Sequence, residues 1–151
     1  MEVFRITKEK FSHNLYASGY GGRWNSAGKY VIYSASSRSL AALENIVHMG
    51  TVELIDFYRV MIIYIPDDIP ILRVNENDLP ENWFLKGEKG FEICRTIGDF
   101  WYNSINYLIL QVPSVIVKNE FNYIINTKHP DFKKVQLINS EPFFFDYRIK
   151  D

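Results

Sequence analysis

Short apolar runs recur along this chain, alternating with polar positions at its start, and twice the period lengthens to that of a helix. Glu2 to Ile6 alternates and predicts an opening strand that carries Phe4 and Arg5. Thr7 to Gly22 is polar, with Gly19, Gly21 and Gly22 near its end, and predicts a loop. Lys29 to Ser34 (KYVIYS) is β-branched and aromatic and predicts a strand. Ser36 and Ser37 then offer caps for a helix in which Leu40, Leu43 and Val47 recur at helical spacing. Strands are predicted over Arg59 to Ile65, closed by Pro66, and over Ile69 to Val74. Trp83 to Phe91 is charged and broken by glycine. Glu92 to Ser104 predicts a second helix, with Gly98 lowering its propensity. Leu108 to Val112 predicts a strand that runs into Pro113 and Ser114 and continues extended through Val115 to Val117. Asn122 to Ile125 reads as a short helical turn, and Val135 to Ile138 and Phe143 to Tyr147 as two closing strands. Many strands around two helices predict an α+β domain with mostly antiparallel pairing. With no internal repeat, low-complexity stretch or linker, one domain is expected over residues 1–151.

Composition narrows the function classes. A net charge of −1, with 17 basic residues scattered among 18 acidic ones, lacks the clustered cations of a nucleic-acid surface. A single cysteine, Cys94, forbids an intrachain disulfide, suits a reducing compartment and reads as a core residue. The first residues, MEVFRITKEK, hold no apolar signal core, and the run VMIIYIP is too short to span a membrane. A cytoplasmic protein is expected.

The candidate chemistry gathers between Gly21 and His48. There a Gly-Gly turn delivers Arg23, a strand delivers Tyr33, and a helix delivers Glu44 at the edge of its buried stripe. A carboxylate in that position is costly to desolvate unless it is paired or used. Gly22 permits close backbone approach to a phosphate, and the Arg23 guanidinium can grip one. The Tyr33 ring can stack on a flat group, or serve only as core. Ser114 follows a proline at a strand end and lacks the surroundings of a hydrolase nucleophile. His13, His48 and His129 show no metal-ligand spacing, and neither a Walker A loop nor GxGxxG is present. The residues alone reach a possible Arg–Tyr–Glu pocket and no substrate.

The motifs FRI, GGRWNSAGKYVIYSA, SLAALENIVH, TIGDFW, VPSVIV, EFNYIINTKHPDF and PFFFDYR occur in order along nearly the whole chain. Together they resemble the RES-domain toxins of RES–Xre toxin–antitoxin pairs. The resemblance implies a fold like that of the diphtheria-type ADP-ribosyltransferases, with a split mixed and antiparallel sheet. It implies an enzyme that cleaves the nicotinamide–ribose bond of NAD, as a glycohydrolase or phosphorylase, with ADP-ribosyl transfer to a protein as the rival. A catalytically silent binding module is the rival from outside the enzymes. On this reading Glu44 stabilises an oxocarbenium-like ribose and Tyr33 stacks on nicotinamide. Arg23, with Arg5 and Gly22, meets the diphosphate, and Ser114 and Asn126 hold the amide or the ribose. NAD is then a substrate, and no metal or prosthetic group is needed. The implied partner is an Xre-like helix-turn-helix antitoxin that blocks the pocket, in a hetero-oligomer or beside a toxin dimer. Asp67 to Lys89 matches nothing in the family and is assigned no role.

Overall fold

The computed structural model describes residues 1–50, 56–85 and 87–150. In chain order the elements are β1 (Glu2–Lys8), β2 (Val31–Ala35), α1 (Arg38–Ile46), β3 (Tyr58–Tyr64) and β4 (Ile71–Arg73). They continue with α2 (Glu88–Ser104), β5 (Ile109–Pro113), β6 (Phe121–Asn126) and β7 (Gln136–Phe143). The strands form one sheet in the order β4-β5-β6-β2-β1-β3-β7. β4 and β5 are parallel and joined through α2; the other pairs are antiparallel.

The sheet is split. β1 follows β3 along its whole length, and β2 follows β6 along its own, but β1 and β2 meet at the single pair Phe4–Ala35. Two half-sheets, β4-β5-β6-β2 and β1-β3-β7, thus share one bridge. The expected split, mixed sheet in an α+β domain is what the chain forms.

One face carries both helices. Leu40 and Ala41 of α1 pack on Ile6, Ala35, Tyr58 and Val60. Cys94 and Trp101 of α2 pack on Trp24, Trp83, Leu110, Val112 and Ile124. The opposite face buries Val3, Ile32, Met61, Ile63, Ile109 and Ile125 beneath Leu15, Ala17, Phe132 and Val135. Each fully buried large apolar side chain contributes about 1.5–3 kcal/mol. No helix among the described residues is long and apolar enough to cross a membrane.

The structure corrects four local expectations. Asn122 to Ile125 belongs to strand β6, because pairing with β2 and β5 on both sides outweighs the low strand propensity of asparagine. Of the two closing strands one forms, β7, which extends the first to Phe143; the expected strand over Phe143 to Tyr147 is absent, and Tyr147–Lys150 is a 3-10 turn. β7 tolerates Pro142 because it lies at the sheet edge, where a missing N–H breaks no central ladder. Val115 to Val117 bends instead of extending, since the Ser114 hydroxyl caps the amides of Ile116 and Val117. On α1, Leu43 and Val47 are exposed, and the buried positions are Leu40 and Ala41. Gly98 lies inside α2 without interrupting it. A Cβ there would collide with the Trp24 carbonyl oxygen, so the glycine lets the Trp24 backbone dock flush on the helix. One residue on, Asp99 fixes that loop by accepting from the backbone N–H of Ser26 at 2.9 Å and from its hydroxyl.

Candidate active site

The phase of α1 decides where Glu44 points. The Ser37 hydroxyl accepts the Leu40 N–H at 3.0 Å and starts the helix there. Leu40 and Ala41 then face the sheet. Glu44, four and three residues on, shares their face and stands inward of the margin that the Leu40–Leu43–Val47 spacing suggested.

The Glu44 carboxylate is seated from below. Its Oε1 accepts the Asn122 Nδ2–H at 2.6 Å and the Ser114 hydroxyl at 3.3 Å. Ser114 is buried, and its oxygen accepts the amides of Ile116 at 3.0 Å and Val117 at 3.1 Å. Both hydroxyl lone pairs are thereby used, which aims its one hydrogen at Glu44. Oε2 has no hydrogen-bond partner among the described residues. The buried Oδ1 of Asn122 has none either.

Tyr33 lies on the same face. Asn122 pairs with Ala35, and Tyr33 precedes Ala35 by two strand positions. Its hydroxyl donates to Asn25 Oδ1 at 2.6 Å and accepts the Trp24 N–H at 3.0 Å. Burial holds its pKa well above the ordinary tyrosine range. The hydroxyl is therefore spent on the protein, and the ring is what a ligand would meet. Gly22 serves this arrangement directly: a Cβ there would sit 2.7 Å from the Tyr33 oxygen.

Arg23 reaches the turn that precedes α2. Its Nη1 donates to the carbonyls of Trp83 at 2.7 Å and Leu85 at 3.2 Å, and its Nη2 to that of Phe84 at 3.3 Å. The guanidinium also lies 4.6 Å from the centre of the Phe91 ring. Arg95, on α2, covers the same ring at 5.1 Å and donates from Nε to the Gly22 carbonyl at 2.9 Å.

Two expected site residues stand elsewhere. Phe4 packs with the α1 cluster, so Arg5 points to the opposite face of the sheet. It donates there to the Tyr16 carbonyl at 3.0 Å, and burial lowers its pKa. Asn126 is fully buried at the far end of β6, four residues from Asn122, or roughly 13 Å along a strand. Its amide donates to the Tyr102 carbonyl at 3.2 Å and accepts the Lys128 N–H at 2.9 Å. Neither residue is brought to Glu44. Cys94 is fully buried, and burial raises its pKa, as suits a core thiol.

The structure thus joins Ser114 to Glu44, places Tyr33 on the same face of the sheet and sets Gly22 against the Tyr33 hydroxyl, while Arg23 is bonded to the 83–85 turn. Sequence reasoning missed Asn122 and Arg95. Asn122 was hidden by the helical reading of its segment. Arg95 stands four residues after Phe91 on a helix, the spacing that lays a cation over a ring. A groove of about 560 Å³ beside β4 is lined by Arg73, Gln111, Lys118 and Phe121 and includes none of these site residues. Its cations are matched by Glu76 and Glu120, so it selects for no charge. Chemically, the set offers an anchored carboxylate with one oxygen unpartnered among the described residues, an aromatic ring on the same face of the sheet, and the Arg95 guanidinium across Gly22 from that ring. That combination stabilises a cation formed next to an anionic group.

Residues 2–146 match the RES domain. The chain is 33% identical to "Toxin Res" of Yersinia enterocolitica, an alignment covering 99% of this chain and 100% of that protein. It is 34% identical to the "Prs ADP-ribosylating toxin" of Sphingobium sp., over 85% of this chain and 80% of that one. The toxin–antitoxin complex MbcT–MbcA of M. tuberculosis contains a similar fold. The TM-score is 0.75 at 18% identity, over 95% of this chain and 84% of that one.

Proposed function

The chain belongs to the RES-domain family, and from that premise we propose that it is the toxin of a toxin–antitoxin pair and cleaves the nicotinamide–ribose bond of NAD. The observation that carries the reading is the seat of Glu44. Its carboxylate is pinned at Oε1 by Asn122 and Ser114, and Oε2 has no hydrogen-bond partner among the described residues.

The chemistry follows from that seat. When the N-glycosidic bond breaks, its electron pair leaves with nicotinamide, which becomes neutral, and the ribose carbon becomes cationic. Glu44 Oε2 accepts a hydrogen bond from a ribose hydroxyl and stabilises the cation electrostatically. A preorganised group of this kind is worth roughly 10²–10³ in rate. Tyr33 stacks on the nicotinamide ring. Asn122 and Ser114 act through Glu44 as positioning residues. Arg23 ties the 83–85 turn to the cleft and keeps positive charge on that wall. Water or phosphate attacks the ribose carbon and releases its proton to solvent. NAD is consumed as a substrate, in the cytoplasm where it is plentiful. An Xre-like antitoxin that covers the cleft would silence the reaction, and any DNA contact would be the antitoxin's.

A second reading has specific support. The Sphingobium relative is named an ADP-ribosylating toxin, so a protein side chain replaces water in that alternative. One experiment separates the outcomes: purified chain, free of antitoxin, is given NAD labelled in its adenylate half, with and without phosphate and with added cell protein. Free ADP-ribose marks hydrolysis, a phosphorylated ADP-ribose marks phosphorolysis, and a labelled protein band marks transfer. NAD left intact in every arm refutes the proposal.

A further inference from the structure

The two arginines that share the Phe91 ring differ in what their donors do. The fork of Arg23 is closed on three backbone carbonyls. Arg95 spends only Nε, on the Gly22 carbonyl, and its Nη1 and Nη2 donate to no acceptor among the described residues. Of the five N–H groups of a guanidinium, four therefore remain. No carboxylate of the described residues pairs with it. Asp99, one helical turn on, gives both oxygens to Ser26.

Arg95 is half-buried and lies against the Gly21–Gly22 turn. Nη2 stands beside the glycine turn: a Cβ at Gly21 would lie 3.8 Å from it, an ordinary contact distance. Phe91 beneath the guanidinium and the bond to Gly22 hold its plane before any ligand arrives. Gly22 also abuts the Tyr33 hydroxyl, so one residue separates Arg95 from the aromatic wall. An oriented, half-buried and unpaired guanidinium beside a glycine turn suits a phosphate, which it can meet in bidentate fashion.

We infer that Arg95, and not Arg23, receives the diphosphate of the dinucleotide. This rests on the NAD reading above. In NAD the diphosphate is one ribose away from nicotinamide. A base seated against Tyr33 therefore brings the phosphates within reach of the side chain beyond Gly22. Arg23 then supports the wall, and Arg95 is the specificity contact that separates a dinucleotide from a bare nucleoside.

The test compares NAD with nicotinamide riboside, which lacks phosphate, on wild type, Arg95→Ala and Arg95→Lys. Calorimetric Kd and steady-state kinetics are both measured. Arg95→Ala is expected to weaken NAD about 10- to 100-fold in Kd and KM, the loss of a charge-assisted pair of bonds, with kcat unchanged. Arg95→Lys keeps the charge without the fork and falls between, and it serves in place of Arg95→Ala if that variant does not fold. Affinity for the riboside stays at its wild-type value in both. An unchanged Kd for NAD, or an equal loss for the riboside, overturns the assignment while the NAD reading stands. Wild type that neither binds nor cleaves NAD overturns that reading, and this one with it.

Discussion

Asn122 and Asn126 stand four residues apart on β6 and face the same side of the sheet, yet the fold uses them in opposite ways. Asn126 is closed: donor and acceptor both bind backbone, and the side chain staples the end of α2 to the strand. Asn122 is open. Its donor holds a carboxylate at 2.6 Å, and its buried oxygen has no partner among the described residues. Neighbourhood separates them. Asn126 lies under a helix terminus whose orphan carbonyls need donors, while Asn122 lies beneath the Glu44 carboxylate of α1. An amide whose donor and acceptor are both spent on backbone is scaffold. One that binds only a functional group is part of the site.

Replacing each asparagine sharpens the contrast. Asn122→Asp sets a second carboxylate against Glu44, and repulsion at hydrogen-bond distance is expected to cut kcat about 10²–10³-fold. The assay is NAD turnover, with the melting temperature read beside it. Asn122→Ala removes the donor without adding charge, and a milder loss of kcat, roughly 10-fold or somewhat more, is expected. KM should barely move, because Asn122 positions Glu44 and does not touch the dinucleotide. Asn126→Ala should do the reverse. It orphans a buried carbonyl and a backbone N–H, costs about 1–3 kcal/mol in urea unfolding, and leaves kcat intact. A turnover defect from Asn126→Ala larger than that from Asn122→Ala would break the comparison.

The smallest effect concerns Tyr33. Burial raises its pKa, so the folded chain keeps a proton that the unfolded chain loses above about pH 10. The unfolded state then binds fewer protons, and stability falls as pH rises past that point, by at most about 1.4 kcal/mol per pH unit. Tyr33→Phe should lower stability near pH 7 through the lost bonds to Asn25 and Trp24. It should also flatten the alkaline slope in chemical denaturation from pH 9 to 11.

How much of this was legible varied with the kind of signal. Alternation located β1, and short β-branched and apolar runs located β2, β3 and β5, all to within a residue or two; β3 and β5 are buried on both faces, which is why they read as runs. Glu44 was visible as a carboxylate near a stripe, but its direction was not. Counting only large apolar residues placed the stripe at Leu40, Leu43 and Val47, whereas small Ala41 is what lets α1 approach Ala35 and the sheet. β6 was misread because its asparagines disfavour strands, and only partners on both sides explain it. Arg23 and Arg95 are alike in sequence. Which fork is closed depends on the 83–85 turn, where no local pattern spoke. The split between β1 and β2 came from the family resemblance and not from any periodicity.

The account stands on Glu44 as the group that stabilises the ribose cation. Nicotinamide release from NAD should therefore be timed for wild type and Glu44→Gln under the same conditions, with matched melting temperatures. The glutamine keeps the size and can keep the bonds to Ser114 and Asn122, and it removes the charge. Steady release by wild type and a loss of roughly 10²–10³-fold in Glu44→Gln is the expected result. Equal release by the two chains would contradict the account.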